Sequence, residues 1–408
     1  MMSKLDTNYS KHRITDPLMK GKRRVVDVTF NPTEIQSNED LTVRLGTMPE
    51  NHVLVPGSRK LTFEFENGNT ESLLQENLQS TIFKHVTHKF NSEIYQDLEN
   101  AHIIKCYEDL WDKERRKDKT QQGLGATTNL KKLMSGDDSG DATVVADKLM
   151  YDVYGKRFSI PIDDDVLTNH GGVYPHGLQK THETTLRINT PPNVLVAPRT
   201  GKVVPESFKL KGLKLRYETI ENSALSGEIM TKYTTGKSMP YKHCTLVKSF
   251  PVEANSVNIH ETINLPRKSM RSIVLLFKRA TDTSESYYYP KVNSCEISFQ
   301  GDPNYIFSHP FQKHDFYEEA SRVFYHGSEL NKNVSEVGFF TNQFCLAIDL
   351  NTTKSDSYGQ GLRLTDTQNG LQLQIAKSTG TTACICYLYV LSDALLNIVN
   401  SQLQSIQY

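Results

Sequence analysis

The sequence predicts an all-β protein made of two consecutive β-sandwiches of the jelly-roll type, with a few short helices. Three observations support this fold class: apolar and polar residues alternate in many short segments, turn-forming residues separate those segments, and helical patterns are few. The chain has 408 residues, more than one ordinary domain contains, so two domains are the simplest division.

Alternation with a period of two places successive side chains on opposite faces of a strand, so that one face can be buried. It recurs in KLTFEFE (60–66), GLKLRYE (212–218) and GLQLQIA (370–376), among other segments. We expect the apolar residues of these segments to form the inner faces of the sheets. The positions concerned are Leu41, Val43, Leu45, Leu61, Phe63, Phe65, Leu213, Leu215, Tyr217, Cys295, Ile297, Phe299, Phe344, Leu346, Ile348, Leu350, Leu371, Leu373 and Ile375.

Turn-forming pairs lie between the strand-like segments, as is usual in antiparallel sheets. Pro56–Gly57 and Asn67–Gly68 are two of them. The clearest is Asn369–Gly370, which follows RLTDTQ (363–368) and precedes LQLQIA (371–376). Because Asn-Gly favours the type I′ turn of a two-residue hairpin, we expect these two segments to pair with each other.

Helical periodicity is confined mainly to two short segments, 221–233 and 314–324, in which apolar residues recur three or four positions apart. The stretch 73–90 fits either a helix or a strand, since its apolar residues lie four positions apart. Helices are therefore expected to be minor elements.

Two irregular segments define the expected domain plan. Residues 189–206 carry four prolines and divide the chain nearly in half, so we place the domain boundary there. Residues 112–146 are charged, rich in glycine and aperiodic, which predicts a large surface loop. The expected division is a basic flexible arm (1–24), a first jelly roll (25–203), a second jelly roll (204–392) and a C-terminal segment (393–408).

Charge is balanced over the chain, with 47 basic and 47 acidic residues, so no overall field draws the protein onto nucleic acid or an anionic membrane. The N-terminal 24 residues are the exception, because seven basic residues there oppose two acidic ones. Lys20, Lys22, Arg23 and Arg24 cluster just before the first strand. Three uses remain open for them: binding nucleic-acid phosphates, contacting a neighbouring subunit, or forming a solvated tail.

Cysteine usage and hydropathy indicate a protein made inside a cell. The six cysteines lack the spacing of a disulfide framework, and Cys384 and Cys386 are placed to turn both thiols into the core from one strand. No segment approaches the roughly 20 apolar residues that span a bilayer, and no signal-peptide pattern opens the chain. We expect no membrane insertion.

Candidate chemical sites fail on spacing or context. His85 and His88 form H-x-x-H without a further ligand at a recognisable spacing. Asp163, Asp164 and Asp165 are consecutive, so their side chains point in different directions, and no calcium-loop glycine follows. We therefore predict no catalytic residue, no bound metal and no cofactor.

Two alternative functions stay open on the residues alone. The aromatic run Tyr287–Tyr289, together with the three aspartates, is compatible with a carbohydrate-binding jelly roll such as an attachment protein. A cupin-like metal enzyme would need clustered histidines and a carboxylate. The nearest such set is His170, His176, His182 and Glu183.

The linear order of segments resembles the double jelly-roll major capsid proteins of the polinton/Maverick and adintovirus-like group. More distantly it resembles those of virophages, large eukaryotic DNA viruses and adenovirus. The resemblance runs from about Val25 to Tyr408, and order and coverage carry it, since no single stretch is diagnostic. The segments that carry it are 54–66, 74–97, 107–116, 154–178, 211–241, 265–277, 292–307, 316–324 and 389–408.

This resemblance implies a non-enzymatic shell protein with two jelly rolls, acting as a homotrimer that tiles the hexagonal lattice of an icosahedral capsid. It implies self-assembly, contacts with penton and minor capsid proteins, and packaged DNA as a candidate partner of the N-terminal arm. The expected location is the virion, after synthesis in the host cytoplasm or nucleus. A pentameric vertex protein is a further alternative, although such proteins usually need one jelly roll.

Overall fold

The computed structural model describes most of the chain. The described residues are 22–45, 49, 51–69, 71–112, 119–136, 145–162, 164–168, 182–197, 201, 203–299, 310–325, 332–352, 358–364, 370–400 and 402–408. Lys20 therefore lies outside the described residues, as do Asp163, His170, His176 and Asn369.

Strands dominate the described structure. They are β1 (Lys22–Thr29), β2 (Glu34–Gln36), β3 (Asp40–Arg44), β4 (His52–Leu54), β5 (Lys60–Glu66), β6 (Leu73–Leu74), β7 (Phe83–Phe90), β8 (Glu93–Leu98), β9 (Arg157–Pro161), β10 (His182–Ile188), β11 (Leu195–Val196), β12 (Lys209–Glu221), β13 (Lys237–Val252), β14 (Asn258–Ile263), β15 (Arg267–Lys278), β16 (Val292–Phe299), β17 (Phe311–Gln312), β18 (Cys345–Asp349), β19 (Leu362–Leu364), β20 (Leu371–Lys377), β21 (Cys384–Val399) and β22 (Gln402–Gln407).

The helices are short. They are α1 (Leu78–Thr81), α2 (Ala101–Trp111), α3 (Thr128–Ser135), α4 (Val145–Tyr154), α5 (Asp165–Thr168), α6 (Pro191–Val194), α7 (Ser223–Thr235), α8 (Phe316–Phe324) and α9 (Glu336–Asn342), with a 3₁₀ turn at Thr120–Gln122. The two helices predicted at 221–233 and 314–324 are confirmed as α7 and α8. The ambiguous stretch 73–90 contains one helical turn, α1, followed by strand β7. Among the described residues, no helix has both the length and the apolar character needed to cross a bilayer.

Eight principal strands build a first sandwich. One sheet has the order β1-β12-β5-β9, and β2 and β4 also pair with β12. The facing sheet has the order β3-β10-β7-β8. Numbered by their place among these eight, the strands run 1-8-3-6 in one sheet and 2-7-4-5 in the other. Two four-stranded antiparallel sheets connected in this way form a jelly roll.

A second set of eight strands repeats this connectivity. Its sheets have the orders β13-β21-β15-β18 and β14-β20-β16-β17, with β19 added to β15 and β22 added to β21. Counted in chain order, these strands again run 1-8-3-6 and 2-7-4-5. The predicted fold class, two consecutive jelly rolls with a few short helices, is therefore confirmed.

The boundary between the rolls lies later than the expected 189–206. Strand β12 is the eighth strand of the first roll, because it pairs with β1 and β5 over residues 209–221. Pro191 and Pro192, two of the four prolines of 189–206, instead lie in the connection between β10 and β12, where they begin the short helix α6. The expected division at 203/204 therefore falls before β12, and the one at 392/393 falls within β21, which continues to Val399.

Each compact unit of the chain also contains a segment from the other's stretch of sequence. The first unit comprises residues up to Asp97, Lys117–Tyr241 and Leu395–Gln407. The second comprises Leu98–Arg116, Lys242–Ala394 and Tyr408. Helix α2, which connects strands β8 and β9 of the first roll, thus belongs to the second unit.

The segment 112–146 is more structured than the loop we expected. Helix α3 is capped at its N-terminus by Thr127, whose side chain accepts a hydrogen bond from the Leu130 amide, and at its C-terminus by Gly136, which has a φ of +93°. Its Leu130 and Met134, four positions apart, are buried. Leu130, Leu133 and Met134 have the spacing of a helix, but the helix has only eight residues, about two turns, within a polar, glycine-rich stretch. Residues 113–118 and 137–144 of this segment lie outside the described residues.

Burial follows the alternation that the sequence displays. Every predicted inner position is buried except Phe299, which is half-buried. Strand β18 departs from a simple alternation, because its positions 345–348 are buried on both faces.

The hairpin expected at Asn369–Gly370 was wrong. Residues 362–364 pair with β15 in one sheet, whereas 371–377 pair with β14 and β16 in the other. Gly370 has a φ of +87°, and a Cβ atom there would lie 2.1 Å from the Asn264 side-chain oxygen. The glycine thus lets the backbone pass close to the connection between β14 and β15, and it does not form a tight turn between strands that are neighbours in sequence.

Candidate functional site

The predicted basic site is a charged strand at the edge of a sheet. Lys22, Arg23 and Arg24 are exposed and form the start of β1, so they belong to the first roll and not to a flexible arm as expected. Strand β1 is the last strand of its sheet, with β12 as its described neighbour. Charged side chains on such an edge discourage unspecific pairing with other strands.

Two arginines of this edge are paired within their own sheet. The Arg23 Nε donates to Glu218 at 2.7 Å, and the Arg24 Nη2 donates to Glu221 at 2.6 Å. The hydrogen bond from Arg24 lowers the pKa of Glu221. Much of the arginine charge is thus balanced by β12 before any partner binds.

Further along the same strand, Asp27 accepts two hydrogen bonds from Arg216, from Nε at 2.7 Å and from Nη2 at 2.8 Å. The hydrogen bond from Arg216 lowers the pKa of Asp27. Three cross-strand ion pairs therefore attach β1 to β12, which makes the edge a structural feature of the roll as well as a surface.

The two histidines of the H-x-x-H pattern do not meet. His85 contacts Asp97 at 2.6 Å on the surface, whereas His88 is buried. Residues three apart on a strand face opposite sides of the sheet, so these side chains diverge. Across the part of the chain that the structure describes, no group of three histidine, cysteine or acidic residues is arranged to hold a metal.

A buried polar cluster joins the two sheets of the first roll, and we call it the Asp164 cluster. Arg59 and Asp164 come from connections next to β5 and β9 in one sheet, and the other members lie on β7, β8 and β10 in the facing sheet. Its members are Arg59, His88, Tyr95, Asp164, His182 and Thr184, all buried.

The Asp164 carboxylate is the centre of this cluster. Its Oδ2 accepts hydrogen bonds from Tyr95 at 2.8 Å and from Arg59 at 3.1 Å, and it lies 3.0 Å from the His182 Nε2. The His88 Nδ1 lies 3.7 Å away and contacts the Thr184 hydroxyl at 2.9 Å. The Asp164 Oδ1 accepts from the Val166 amide at the start of α5.

Burial and neighbouring charges act in opposite directions on Asp164. Burial alone would raise its pKa, but His88, His182 and Arg59 outweigh that effect and hold the pKa well below the usual range. Burial lowers the pKa of His182, and Asp164 opposes this only in part. At neutral pH the Arg59–Asp164 ion pair therefore lies beside a neutral His182.

This arrangement does not support the cupin-like alternative. The position where a metal would contact Asp164 is taken by the Arg59 guanidinium. Glu183 points to the surface, where it pairs with Arg44 at 2.7 Å. The sequence did not indicate that Arg59 and His88 would meet Asp164 and His182, because the four positions are spread over 124 residues of chain.

The aromatic run of the second unit is packed internally. Tyr287 is fully buried, and its hydroxyl donates to the Ile103 carbonyl at 2.7 Å. The Tyr288 hydroxyl accepts from the Thr382 amide at 2.9 Å, and Tyr289 donates to the Val292 carbonyl at 2.9 Å. These contacts leave no exposed stack of three rings on which a sugar could lie.

Potential nucleophiles in the second unit are also buried and engaged. The six cysteines are thiols and not disulfides, and burial raises the pKa of Cys295 to about 12 and that of Cys384 to about 11, so the thiolates of these two are disfavoured. Burial lowers the pKa of Lys278 to about 8. Its Nζ donates to the carbonyls of Thr283 and Ser286 at 2.6 and 2.8 Å, which holds a surface loop.

The second unit has a buried carboxylate of its own, on strand β21. Asp393 accepts hydrogen bonds from Arg271 at 3.0 Å and from Ser269 at 2.7 Å. It also accepts from the Gly359 amide at 2.7 Å, which fixes the connection between β18 and β19. Each unit thus contains a buried arginine–aspartate pair with a structural role.

Of the comparisons with known proteins, the one with solved structures finds matches. No protein-family model matches the sequence, and no curated protein does. Among solved structures, PBCV-1 VP54, as fitted into a reconstruction of the virophage Sputnik, has a TM-score of 0.61 at 8% identity and covers 95% of this chain and 97% of its own. The chain has the double jelly-roll fold.

Two further double jelly-roll matches extend over the same range. The Faustovirus major capsid protein has a TM-score of 0.57 at 6% identity, covering 93% of this chain and 90% of its own. A chain of the Sputnik virophage has a TM-score of 0.53 at 12% identity, covering 95% and 89%. Both rolls, and not one of them, are therefore shared with these structures.

Proposed function

We propose that this chain is a structural coat subunit, the major capsid protein of an icosahedral double-stranded DNA virus or virus-like element. The observation that carries the proposal is the pair of jelly rolls with identical strand order, which matches viral capsid structures over 93–95% of the chain. The sequence resemblance to the polinton/Maverick and adintovirus-like group supports a place in that group.

The mechanism that we propose is assembly through surface burial, with no catalytic step. Two facing sheets give each roll stiff walls with short edges. Three chains with two rolls each provide six similar walls, which lets a threefold object occupy a sixfold position in a lattice. Obligate interfaces of this kind usually bury more than roughly 2,000 Å².

The same architecture argues for the lattice role over the alternatives. A vertex protein usually needs one jelly roll, and this chain has two. The carbohydrate-binding alternative depended on Tyr287–Tyr289 as a platform, and these rings are used in internal contacts. No described surface supports either the vertex-protein or the carbohydrate-binding alternative.

Further partners and the location follow from this proposed role. We propose contacts with penton and minor capsid proteins, residence in the virion, and synthesis in the host cytoplasm or nucleus. For the N-terminal region, pairing of Arg23 and Arg24 with β12 favours a structural or subunit contact at 22–24. The candidate DNA contact then falls on the preceding residues, including Lys20.

Molar mass in solution tests the assembly. Chains of 46.3 kDa would give trimers of about 139 kDa by light scattering, and negative-stain images would show hexagonal plates or shells. A strictly monomeric protein at micromolar concentration would contradict the coat proposal.

A truncation separates the two uses of the N-terminal region. Removal of residues 1–21 leaves β1 intact and is expected to retain the trimer while lowering affinity for DNA. The difference should shrink as salt is raised, because phosphate contacts release counterions. A matched variant, Arg23→Ala with Arg24→Ala, should weaken the fold at β1 with little effect on DNA affinity.

A further inference from the structure

The outer face of the sheet β3-β10-β7-β8 carries three rows of side chains. On β3 and β10 these positions alternate with buried ones, so they point away from the core. A charged row lies about 7 Å to either side of a row of threonines, since successive residues rise about 3.4 Å. The middle row is Thr42, Thr185 and Thr87, and the charged rows are Arg44, Glu183 and Lys89 on one side and Asp40, Arg187 and His85 on the other.

The sign of the charge reverses between the two charged rows. On β3, Arg44 is basic and Asp40 is acidic, whereas on β10, Glu183 is acidic and Arg187 is basic. Within its own row, Glu183 pairs with Arg44 at 2.7 Å and lies 3.9 Å from the Lys89 Nζ. In the other row, the Arg187 Nε lies 3.9 Å from Asp40. The two rows thus present opposite orders of charge.

The face is most accessible on strands β3 and β10. The side chains of Arg44, Asp40 and Arg187 are 73%, 56% and 43% exposed. Thr42 is exposed and Thr185 is half-buried, whereas Thr87 on β7 is buried. A second molecule can therefore reach both charged rows and the threonines between them.

We propose that this face binds the same face of a second copy of the chain, around a twofold axis that runs along the row of threonines. A half-turn about this axis turns the face over and sets each charged row opposite the other, while each strand faces its own copy. Arg44 then lies opposite Asp40 of the partner subunit. Glu183 lies opposite Arg187 of the partner subunit. The interface is isologous, so each of these contacts occurs twice.

Strand β7 fits the same arrangement. Lys89 lies opposite His85 of the partner subunit. In each chain the His85 Nε2 is 2.6 Å from the Asp97 Oδ1, which also accepts a hydrogen bond from the Thr87 hydroxyl at 3.0 Å. A carboxylate therefore stands at this end of the face, across from Lys89.

The contact adds ion pairs without breaking those inside each chain. Arg44 keeps Glu183 as its neighbour and gains the partner's Asp40, so separate surface pairs become a network of four charges. Single exposed pairs contribute little, and networks contribute more. Complementary charge of this kind also fixes the register in which two surfaces meet.

The outer face of the other sheet of the first roll lacks this symmetry. Along its strand β12, four successive outward positions are basic and alternate with buried leucines. A half-turn about the middle of that strand would set basic residues against basic residues, which disfavours association. The four positions are Lys209, Lys211, Lys214 and Arg216.

The size of the face indicates a weak contact. Its three strands are about 4.8 Å apart and its three rows about 7 Å apart, so it covers much less than the roughly 800 Å² per partner of a typical stable pair. Such a contact gains strength where an assembly already holds many copies side by side. In this respect the inference deepens the proposed coat function and rests on it. Because a twofold contact cannot lie within a threefold ring, it would join subunits of different trimers.

Cross-linking through a single cysteine tests the contact. Thr185 lies beside the axis, so Thr185→Cys brings two thiols within about 10 Å, the spacing of packed sheets, which a short bis-maleimide spans. The matched control is Thr62→Cys, which lies next to Lys214 on the outer face of the other sheet, and the unaltered protein gives the background of the native thiols. We expect covalent dimers from Thr185→Cys at low salt and few from Thr62→Cys. Equal yields would overturn the proposal.

The salt dependence of the yield provides a second readout. Raising the salt from about 0.01 M to about 1 M shortens the screening length from about 30 Å to about 3 Å, so the yield from Thr185→Cys should fall. A yield that does not change with salt would show that the charged rows do not direct the contact.

Two charge-reversal variants, each carrying Thr185→Cys, test the register. Asp40→Lys with Glu183→Lys makes the four charged positions of β3 and β10 basic, and Arg44→Glu with Arg187→Glu makes them acidic. Each variant alone sets like charges opposite each other and should lose dimers at least about tenfold, whereas a mixture of the two should recover them. No recovery on mixing would refute the twofold register. If either variant does not fold, the comparison of Thr185→Cys with Thr62→Cys decides.

Molar mass separates this inference from the coat proposal. Trimers whose Thr185→Cys form gives no cross-linked dimers would refute the twofold contact and leave the coat proposal intact. Cross-linked dimers of a chain that otherwise stays monomeric would contradict the coat proposal and support the contact.

Discussion

The hydroxyl of Tyr287 donates a 2.7 Å hydrogen bond to the backbone carbonyl of Ile103, although 184 positions separate the two residues. Ile103 lies in helix α2, which follows strand β8 of the first roll in sequence and belongs to the second compact unit. Tyr107 of the same helix contacts the Tyr287 ring edge to face at 4.8 Å. The second unit is therefore completed by a helix that the first half of the sequence supplies.

Trp111 should be the most costly side chain of this helix to remove. It is fully buried and contacts the rings of Tyr317, Phe324 and Phe339 at centroid distances of 5.8–6.4 Å. Trp111→Ala is expected to lower the free energy of unfolding by about 3–5 kcal/mol, because it leaves a cavity among rigid rings. Urea unfolding followed by circular dichroism measures this. Val337→Ala, at a position 79% exposed, is the control and should change stability by less than about 0.5 kcal/mol.

A fragment of the second roll should not fold without helix α2. Residues 237–408 contain all its strands but lack Leu98–Arg116, so the site of Trp111 and Tyr107 would be an exposed apolar cavity. We expect this fragment to unfold without a cooperative transition, and the same fragment with 98–116 attached by a flexible linker to recover one. Cooperative unfolding of the shorter fragment would show that α2 is dispensable.

Helix α2 was not predicted from the sequence, although its residues carry a helical period. Eight of its 11 residues are buried, and the three that are not, His102, Lys105 and Glu108, lie three positions apart, which is a helical period. The strands were predictable because one face of each remains polar, as in KLTFEFE, where Leu61, Phe63 and Phe65 are buried and the residues between them are not.

The domain boundary and the Asp164 cluster escaped prediction for a different reason. Periodicity shows which side chains of a strand are buried, but it does not show which strand pairs with it. Strand β12 could therefore not be assigned to the first roll before its pairing with β1 was known. In the same way, Arg59 and His182 are ordinary polar residues in sequence, and only the packing of two sheets brings them to Asp164. Both the domain boundary and the members of the Asp164 cluster depend on pairing between strands that are far apart in sequence.

Gly370 should tolerate substitution poorly because of a steric contact. A Cβ atom there would lie 2.1 Å from the Asn264 Oδ1 and 3.0 Å from the Ile263 carbonyl oxygen, in addition to the strain of its φ of +87°. Gly380 has a φ of +68°, and a Cβ atom there would meet no other atom within 4 Å, so it isolates the backbone strain. We expect Gly370→Ala to lower thermal stability clearly more than Gly380→Ala, whose cost should be about 1 kcal/mol. Equal losses would remove the steric explanation for this glycine.

The contact between Asp27 and Arg216 should stabilise the edge strand modestly and in a pH-dependent manner. The hydrogen bond from Arg216 lowers the pKa of folded Asp27, so its contribution is present above the ordinary value of 3.8 and is lost as the pH falls through the folded pKa. Both side chains are more than a third exposed, so solvent screening limits the coupling to about 0.2–1 kcal/mol. A double-mutant cycle with Asp27→Asn and Arg216→Gln at pH 7 measures it, and the same cycle at pH 2 or in 1 M salt should give a smaller value. A coupling that persists unchanged at pH 2 would mean that the pair is not held by the charge of Asp27.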